Sequence, residues 1–406
     1  MKDHYYFDNA STSWPKPELV YTTMDREMRT HGVNPGRSGY SLALEAEQLV
    51  LETRKNLAEF FNCPGDANRL VFTQNATDSL NIALFGVLRE GDHVVTTRIE
   101  HNSVLRPLKY LEQDFGVSVT YVGHDAQGYV DPEDIRLAIT SATRMIVINH
   151  GSNVIGTVQD LTAIGNISRE AGTLFVVDTC QTAGVLAIDC ERDHIDILTF
   201  TGHKGLFGPM GIGGMYVLEG VDIRPVRFGG TGVDSISPYQ PESYPHHLEA
   251  GTISVPGIAG LNGAQQWFAE LGRELAQDRA SKLSHREACS VALQAIHDKE
   301  MGHTFALEQA FRALEGVTVY GPTQKEHRVA TLSINVDALP AEQVGEMLDA
   351  DYHICVRTGL HCAPLVHQDA GTVEQGGTVR FSPGYFTQDE DIAHAINAIT
   401  EIAKQG

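Results

Sequence analysis

Apolar and polar positions follow a regular cadence through the first half of the chain. Between about residues 76 and 218, short β-branched runs recur at 94–97, 117–122, 145–148, 174–177 and 197–200. Such runs read as buried strands. The segments between them, 103–114 and 160–171 among others, carry helix signals. Asp131-Pro132-Glu133 supplies a cap, a first-turn proline and an early acid. Strands alternating with helices predict right-handed crossovers and a mostly parallel sheet. Ligands on such sheets lie at the carboxyl ends of strands, so the polar residues just after each run carry the functional information.

Residues 41–61 predict a long amphipathic helix, with Leu42, Leu49, Leu57 and Phe61 among its apolar positions and Cys63-Pro64-Gly65 ending it. After Pro256 the texture changes. Residues 258–314 predict mainly helix. Strands are expected at 317–320, 328–336, 352–357 and 378–382, then a last helix with Ile392, Ile396 and Ile399 on one face. The pattern predicts an α/β chain. A large domain would cover 16–256, and residues 1–15 and 257–406 would form a small α+β domain. The glycine-rich stretch between Cys362 and Arg380 is expected to be mobile, able to cover a site or dock an acceptor.

Composition mainly excludes. The chain has 406 residues, with 30 Lys and Arg against 52 Asp and Glu, a net charge of −22. At 42% hydrophobic it is globular in composition rather than disordered. The acidity speaks against nucleic acid and against anionic membranes as partners, since both need a basic face. No run approaches the ~20 apolar residues of a membrane helix. The start, with an early acid and no long apolar stretch, does not read as a secretory signal. Six cysteines without a Cys-x-x-Cys pair predict reduced thiols and no metal site in a cytoplasmic chain. His246-His247 lacks metal-ligand spacing. Gly211-Ile212-Gly213-Gly214 precedes a strand-like run (Met215–Leu218) instead of opening a helix, so it is no dinucleotide fingerprint.

The candidate chemistry lies at strand ends. Asp178 follows the run 174–177, and Gln181 comes three residues later. Thr201-Gly202-His203-Lys204-Gly205 follows the run 197–200. Asn75-Ala76-Thr77-Asp78 opens a helical segment, where Thr77 and the amides near Ala76 suit a phosphate as well as an ordinary cap. His101 and Asn153 follow two further strands. A lysine for a Schiff base, an acid for a pyridinium nitrogen, and a helix start with hydroxyls for a phosphate are what pyridoxal phosphate requires.

These residues resemble the class V aminotransferase family of fold-type I pyridoxal-phosphate enzymes. Within it they resemble the group II, Suf-like cysteine desulfurases, which overlap with selenocysteine lyases. The likeness runs from Tyr6-Phe7-Asp8-Asn9-Ala10 to the last helix. Its most specific motifs are Thr201-Gly202-His203-Lys204, Glu249-Ala250-Gly251-Thr252 and Arg357-Thr358-Gly359-Leu360-His361-Cys362-Ala363, preceded by Asp178-x-x-Gln181.

The resemblance implies roles. Lys204 would bind the cofactor covalently. Asp178 would face its ring nitrogen, Gln181 its phenolate, and His101 would stack on the ring. Ala76, Thr77, Thr201 and His203 would hold the phosphate, and Thr252 would reach the phosphate of a neighbouring subunit, implying a homodimer. Asn153 would lie near substrate and ring. Arg380 would clamp the substrate carboxylate, with Arg357 and Ala10 beside it. Cys362 would be the sulfur-accepting thiolate, favoured by Arg357 and His361, while the other five cysteines read as small core residues. The implied reaction turns L-cysteine into L-alanine and passes sulfur to an acceptor protein. The alternatives are selenocysteine lyase, another C–S lyase or aminotransferase of the family, or a protein that only binds the cofactor. The loop around Arg37 reads equally as a partner contact and as a surface turn.

Overall fold

The structure is a computed structural model that describes residues 4–36 and 39–405. Arg37 lies outside the described residues. The five expected runs form strands His93–Thr97, Ser118–Val122, Thr143–Asn149, Leu174–Asp178 and Ile197–Thr201. They belong to a seven-stranded sheet whose order is Leu70–Thr73, Gly213–Val217, Ile197–Thr201, Leu174–Asp178, Thr143–Asn149, His93–Thr97, Ser118–Val122. Only Gly213–Val217 runs against its neighbours. This is the mostly parallel α/β architecture expected.

The strands are apolar throughout because both faces are covered. Consecutive residues serve opposite faces: Val147 and Val176 join one buried cluster, while Ile148 and Val177 join the other. Helices Ala76–Val87 and Asn102–Asp114 pack on the first face. Truncating one of these side chains, such as the fully buried Phe175, to alanine would cost about 3–5 kcal/mol.

A buried ion pair fastens the sheet edge. Arg54 Nη1 lies 2.7 Å from Glu249 Oε1, and the same oxygen accepts the Phe72 N–H at 2.7 Å. Glu249, the first residue of a quoted motif, thus has a structural place.

The smaller unit is built on a four-stranded antiparallel sheet, in the order Arg357–Gly359, Thr378–Phe381, Leu332–Val336, Val317–Tyr320. Tyr5–Tyr6 pairs in parallel with Ile354–Cys355, and Phe7 enters the core of this unit. The border expected at 256/257 does not coincide with a change of core. Helix Val255–Ala276 buries Ile258, Leu261 and Phe268 in the larger core. The following long helix, His285–Arg312, is shared: Ala288 to Ile296 pack with the larger core, Leu307 and Phe311 with the smaller.

Two local expectations differ. Helix Ser41–Phe60 buries Ala43, Ala46, Val50, Thr53 and Leu57, while Leu42, Leu44 and Leu51 face outward. The stretch after Cys362 is folded rather than loose. It forms the helix Pro364–Asp369, closed by a His367–Thr372 side-chain bond of 2.7 Å and tied to the larger unit by the Arg98–Asp369 ion pair.

Candidate active site

A cavity of about 300 Å³ opens at the carboxyl ends of the parallel strands. Ala10, Ala76, Thr77, His101, Asn153, Asp178, Gln181, Thr201, His203, Lys204, Arg357 and Arg380 all line it. Two candidates do not. Thr252 is exposed on the surface, and Cys362 lies beside the cavity, its Sγ 3.8 Å from Arg357 Nη2.

The convergence has a backbone cause. Asp178 ends one strand and Thr201 the adjacent one. The turns that follow meet where a Cβ on Gly184, at φ +87°, would stand 2.1 Å from the carbonyl oxygen of Gly205. Only glycine permits that approach, which brings Lys204 beside Asp178 and Gln181. Asp178 is buried, and its Oδ1 accepts the Cys180 N–H at 2.9 Å. Gln181 Nε2 donates to Ala10 O at 3.0 Å, fixing the amide at the wall.

The helix start is capped by Asn75, whose side chain accepts the Asp78 N–H at 3.0 Å. Thr77 is therefore not the cap. Its hydroxyl and the first-turn amides remain for an anion, at the positive end of a 12-residue helix. Gly213 lets the neighbouring strand pass this turn, since a Cβ there would come within 2.8 Å of Asn75 Cα.

Five residues lining the cavity carry a buried side-chain atom without a hydrogen-bond partner: Thr201 Oγ1, His203 Nδ1, Asn153 Oδ1, His361 Nδ1 and Arg380 Nε. Buried polar groups are seldom left so, because each costs desolvation without return. Their convergence marks a place for a polar guest. Burial, reinforced by Lys204 and Lys16, pushes His203 down to about 4. Burial likewise takes His101 to about 4 against the opposing pull of Asp178. Both rings are thus neutral at pH 7. His101 Nδ1 pairs with Ser103 Oγ at 2.8 Å and caps helix Asn102–Asp114.

The opposite rim comes from the smaller unit and the N-terminal segment. Arg380 is 1% exposed. Its Nη2 meets Asp8 Oδ1 at 2.7 Å and Ser11 Oγ at 2.8 Å, its Nη1 meets Asn153 O at 2.9 Å, and its Nε has no partner. Arg357 Nη1 donates to the same Ser11 Oγ at 3.0 Å. A substrate carboxylate reaching Arg380 therefore meets a fork already shared with Asp8. His361 and Cys362 have φ of +47° and +60°, two successive non-glycine residues in the left-handed region. Such backbone costs about 1–2 kcal/mol per residue and collects at functional sites. The turn is held by Asn153 Nδ2 on His361 O at 2.6 Å and by the Asn102 N–H on Cys362 O at 2.7 Å.

Burial drives His361 far below the usual histidine range, with Arg380 adding to the effect. A neutral His361 lends no positive charge to Cys362, so Arg357 alone of the two expected neighbours does so. Of the other cysteines, Cys190 and Cys289 are buried as expected, but Cys63, Cys180 and Cys355 are half-buried. Cys180 lines the cavity, where burial raises its thiol well above the ordinary range. Sequence reasoning missed Asp8, Ser11, Asn149 and Ser103. Asp8 stood in a quoted motif, and its acid was the available signal.

Comparison with known proteins bears on the family and the fold. The class V aminotransferase family model matches residues 5–289 and 287–394. A probable cysteine desulfurase of Methanothermobacter thermautotrophicus is 34% identical over 411 residues, covering 100% of this chain and 96% of the relative. Cysteine desulfurase IscS of Shewanella sp. is 30% identical, covering 99% and 93%. Among solved structures, the apo cysteine desulfurase of Thermococcus onnurineus superposes with a TM-score of 0.88 at 29% identity, over 100% of this chain and 96% of the other. The Escherichia coli desulfurase CsdA superposes with 0.83 at 26%, over 99% and 95%. With the whole chain matched and the strand-end residues gathered in one cavity, the chain belongs to the class V aminotransferase family.

Proposed function

We propose that this chain is a pyridoxal-phosphate-dependent cysteine desulfurase that converts L-cysteine to L-alanine and takes the sulfur onto Cys362. The observation that carries the reading is the 3.8 Å approach of the Cys362 thiol to Arg357 Nη2, an arginine that lines the same cavity as Lys204 and Asp178. A plain aminotransferase needs no sulfur nucleophile there. Relatives of the chain bear the desulfurase name from end to end, which favours this reading over selenocysteine lyase.

The residues fit the cofactor. Lys204 would hold it covalently, Asp178 would face the ring nitrogen, and Gln181 the ring oxygen. His101 would lie against the ring. Thr201, His203, Thr77 and the Ala76 amide would take the phosphate, satisfying the unpartnered Thr201 Oγ1 and His203 Nδ1. When bound, the cofactor supplies the electron sink that makes the substrate Cα proton removable.

The chain's own groups do the rest. Arg380, with Arg357 nearby, orients the carboxylate, for which a planar guanidinium fork is better suited than an ammonium. Asn153 Oδ1, unpartnered and facing the cavity, is available to the substrate amine. Lys204 Nζ takes the Cα proton. The Cys362 thiolate then attacks the substrate sulfur: a new S–S bond forms as the substrate C–S bond breaks, leaving a Cys362 persulfide. The remaining carbon skeleton is protonated and leaves as alanine, and His101 is placed to move a proton there. The persulfide sulfur passes to an acceptor protein.

A homodimer belongs to this reading. Tyr21, Met28, Tyr40, Leu42, Leu44 and Leu51 expose apolar surface on or beside the first two helices. So many exposed large apolar side chains within one stretch of chain suit a surface that a second copy covers. Exposed Thr252 is then free to serve a neighbour's phosphate. No helix among the described residues is long and apolar enough to cross a membrane.

The test is reconstitution with pyridoxal phosphate followed by assay of sulfide and alanine from L-cysteine. A visible cofactor band with equimolar sulfide and alanine is expected. A protein that stays colourless overturns the reading.

A further inference from the structure

A second cavity, of about 40 Å³, adjoins the first. Ala10, Gln181 and Lys204 line both and form the partition between them. The smaller space holds on the order of two waters. Among the residues lining it, only Lys204 and Glu300 titrate.

Glu300 is an unusual occupant. It stands on the buried face of helix His285–Arg312 and is 7% exposed. Its carboxyl accepts the Tyr385 backbone N–H, and the charge acting on it is that of Lys299, whose Nζ lies 5.1 Å over the Tyr385 ring. Burial outweighs both and pushes the acid up to about 8. A carboxyl in such a place is costly. If its task were only to anchor the Tyr385 amide, a glutamine would serve equally.

We propose that Glu300 is a positioning residue that exchanges a proton with Lys204 Nζ through water in this cavity. The inference rests on the reading of Lys204 as the base at the substrate Cα. After Nζ has taken that proton it is an ammonium. Glu300, neutral at rest, exchanges with it through the cavity water: the ammonium passes one proton to a water, the carboxyl takes that proton on one oxygen as it releases its own from the other, and the released proton returns through water to Nζ. Nζ stays charged for the protonation that follows, and the hydrogen it carries has been replaced. No proton is gained or lost over the cycle, and no oxidant or reductant enters. The groups facing Glu300 are Lys204 across the cavity, Lys299 on its own helix and the Tyr385 N–H. Ser13, also on the lining, accepts from Lys16 Nζ at 3.0 Å, and burial lowers that ammonium to about 8.

Glu300→Gln keeps the volume and the acceptor for Tyr385 but carries no exchangeable acid proton. In the cofactor-free protein at neutral pH, infrared spectroscopy is expected to show protonated-carboxyl absorption that shifts in heavy water and loses one component in E300Q, the component that remains belonging to Glu100. Protonated-carboxyl absorption that is the same in E300Q and wild type overturns the proposal. In the reconstituted protein, E300Q is expected to keep its visible band and bound cofactor. It should exchange the Cα hydrogen of L-alanine with solvent deuterium about ten- to a hundredfold more slowly, with a displaced pH profile. Glu300→Asp should recover part of the rate. Exchange in E300Q at the wild-type rate and with the wild-type pH profile overturns the proposal alone, provided Lys204→Ala abolishes exchange. Wild-type exchange in Lys204→Ala overturns the functional reading and this inference with it.

Discussion

The floor and the rim of the cavity are built on different terms. The floor, at the strand ends of the larger unit, leaves Thr201 Oγ1 and His203 Nδ1 unpartnered and keeps His101 and His203 neutral. The rim is more fully engaged. Arg380 and Arg357 are held by Asp8, Ser11 and Asn153 O, with only Arg380 Nε and His361 Nδ1 of its buried side-chain atoms left over, and Cys362 is presented on left-handed backbone. A floor with idle donors is prepared to receive a guest that stays. On the proposed function, a rim whose cations are already occupied would exchange partners at each turnover, a substrate carboxylate taking the place of Asp8 on Arg380. Long residence and rapid exchange thus demand different satisfaction of polar groups within one cavity.

Perturbing each side separately tests that contrast. The largest effect is expected from the floor: Lys204→Ala should abolish the covalent cofactor band and lower sulfide release by about 10⁴-fold or more, read by absorbance and sulfide assay. Cys362→Ala, on the rim, should leave the band intact and lower sulfide release by about 10²–10³-fold. If the band is lost with Cys362 instead, floor and rim are not separable. Arg380→Lys should raise KM for cysteine roughly tenfold with the band unchanged, because an ammonium cannot serve Asp8 and a carboxylate as a fork does. A change in kcat alone would contradict the exchange picture.

The smallest effect is on stability. In the cofactor-free protein, burial holds His101, His150, His203, His361 and His367 well below the usual value of 6.5. The unfolded chain binds more protons on these rings below pH 6.5, so stability falls as pH drops toward 4. Glu100 and Glu300 are raised from 4.5 to about 8. There the folded state holds the extra protons, and stability falls as pH rises toward 8. The histidines outnumber the acids. Melting temperature should therefore peak near pH 6.5 and fall more steeply on the acid side. A flat profile would mean the histidines are hydrated and the floor is not dry.

The floor was also the part most legible in the sequence. Asp178 and Lys204 follow apolar runs that have to be strands, and strand ends have to be where ligands lie, so local pattern located them. Asn75 was read past in favour of Thr77 because either residue can cap, and only the backbone decides which one does. The rim was less legible. Asp8 and Ser11 are more than 340 positions from the arginines they engage, and no local signal gives such a partner. Periodicity likewise misjudged Leu42, because an apolar residue facing outward, as a chain-to-chain surface requires, has the same pattern as one facing in. The glycines between Cys362 and Arg380 suggested looseness, but Arg98, in the turn after strand His93–Thr97, holds that stretch through Asp369, which composition cannot show.

Helix His285–Arg312 runs through both cores, and this places a constraint on phase rather than on composition. Each residue of an α-helix turns the chain by about 100° and advances it about 1.5 Å. Inserting or deleting a single residue between Ile296 and Leu307 would swing the whole face that carries Leu307 and Phe311 away from the smaller core while leaving Ala288 to Ile296 in place. The number of residues in that interval, more than their identity, keeps the two halves of the cavity in register. Surface loops elsewhere in the chain can absorb insertions that this span cannot.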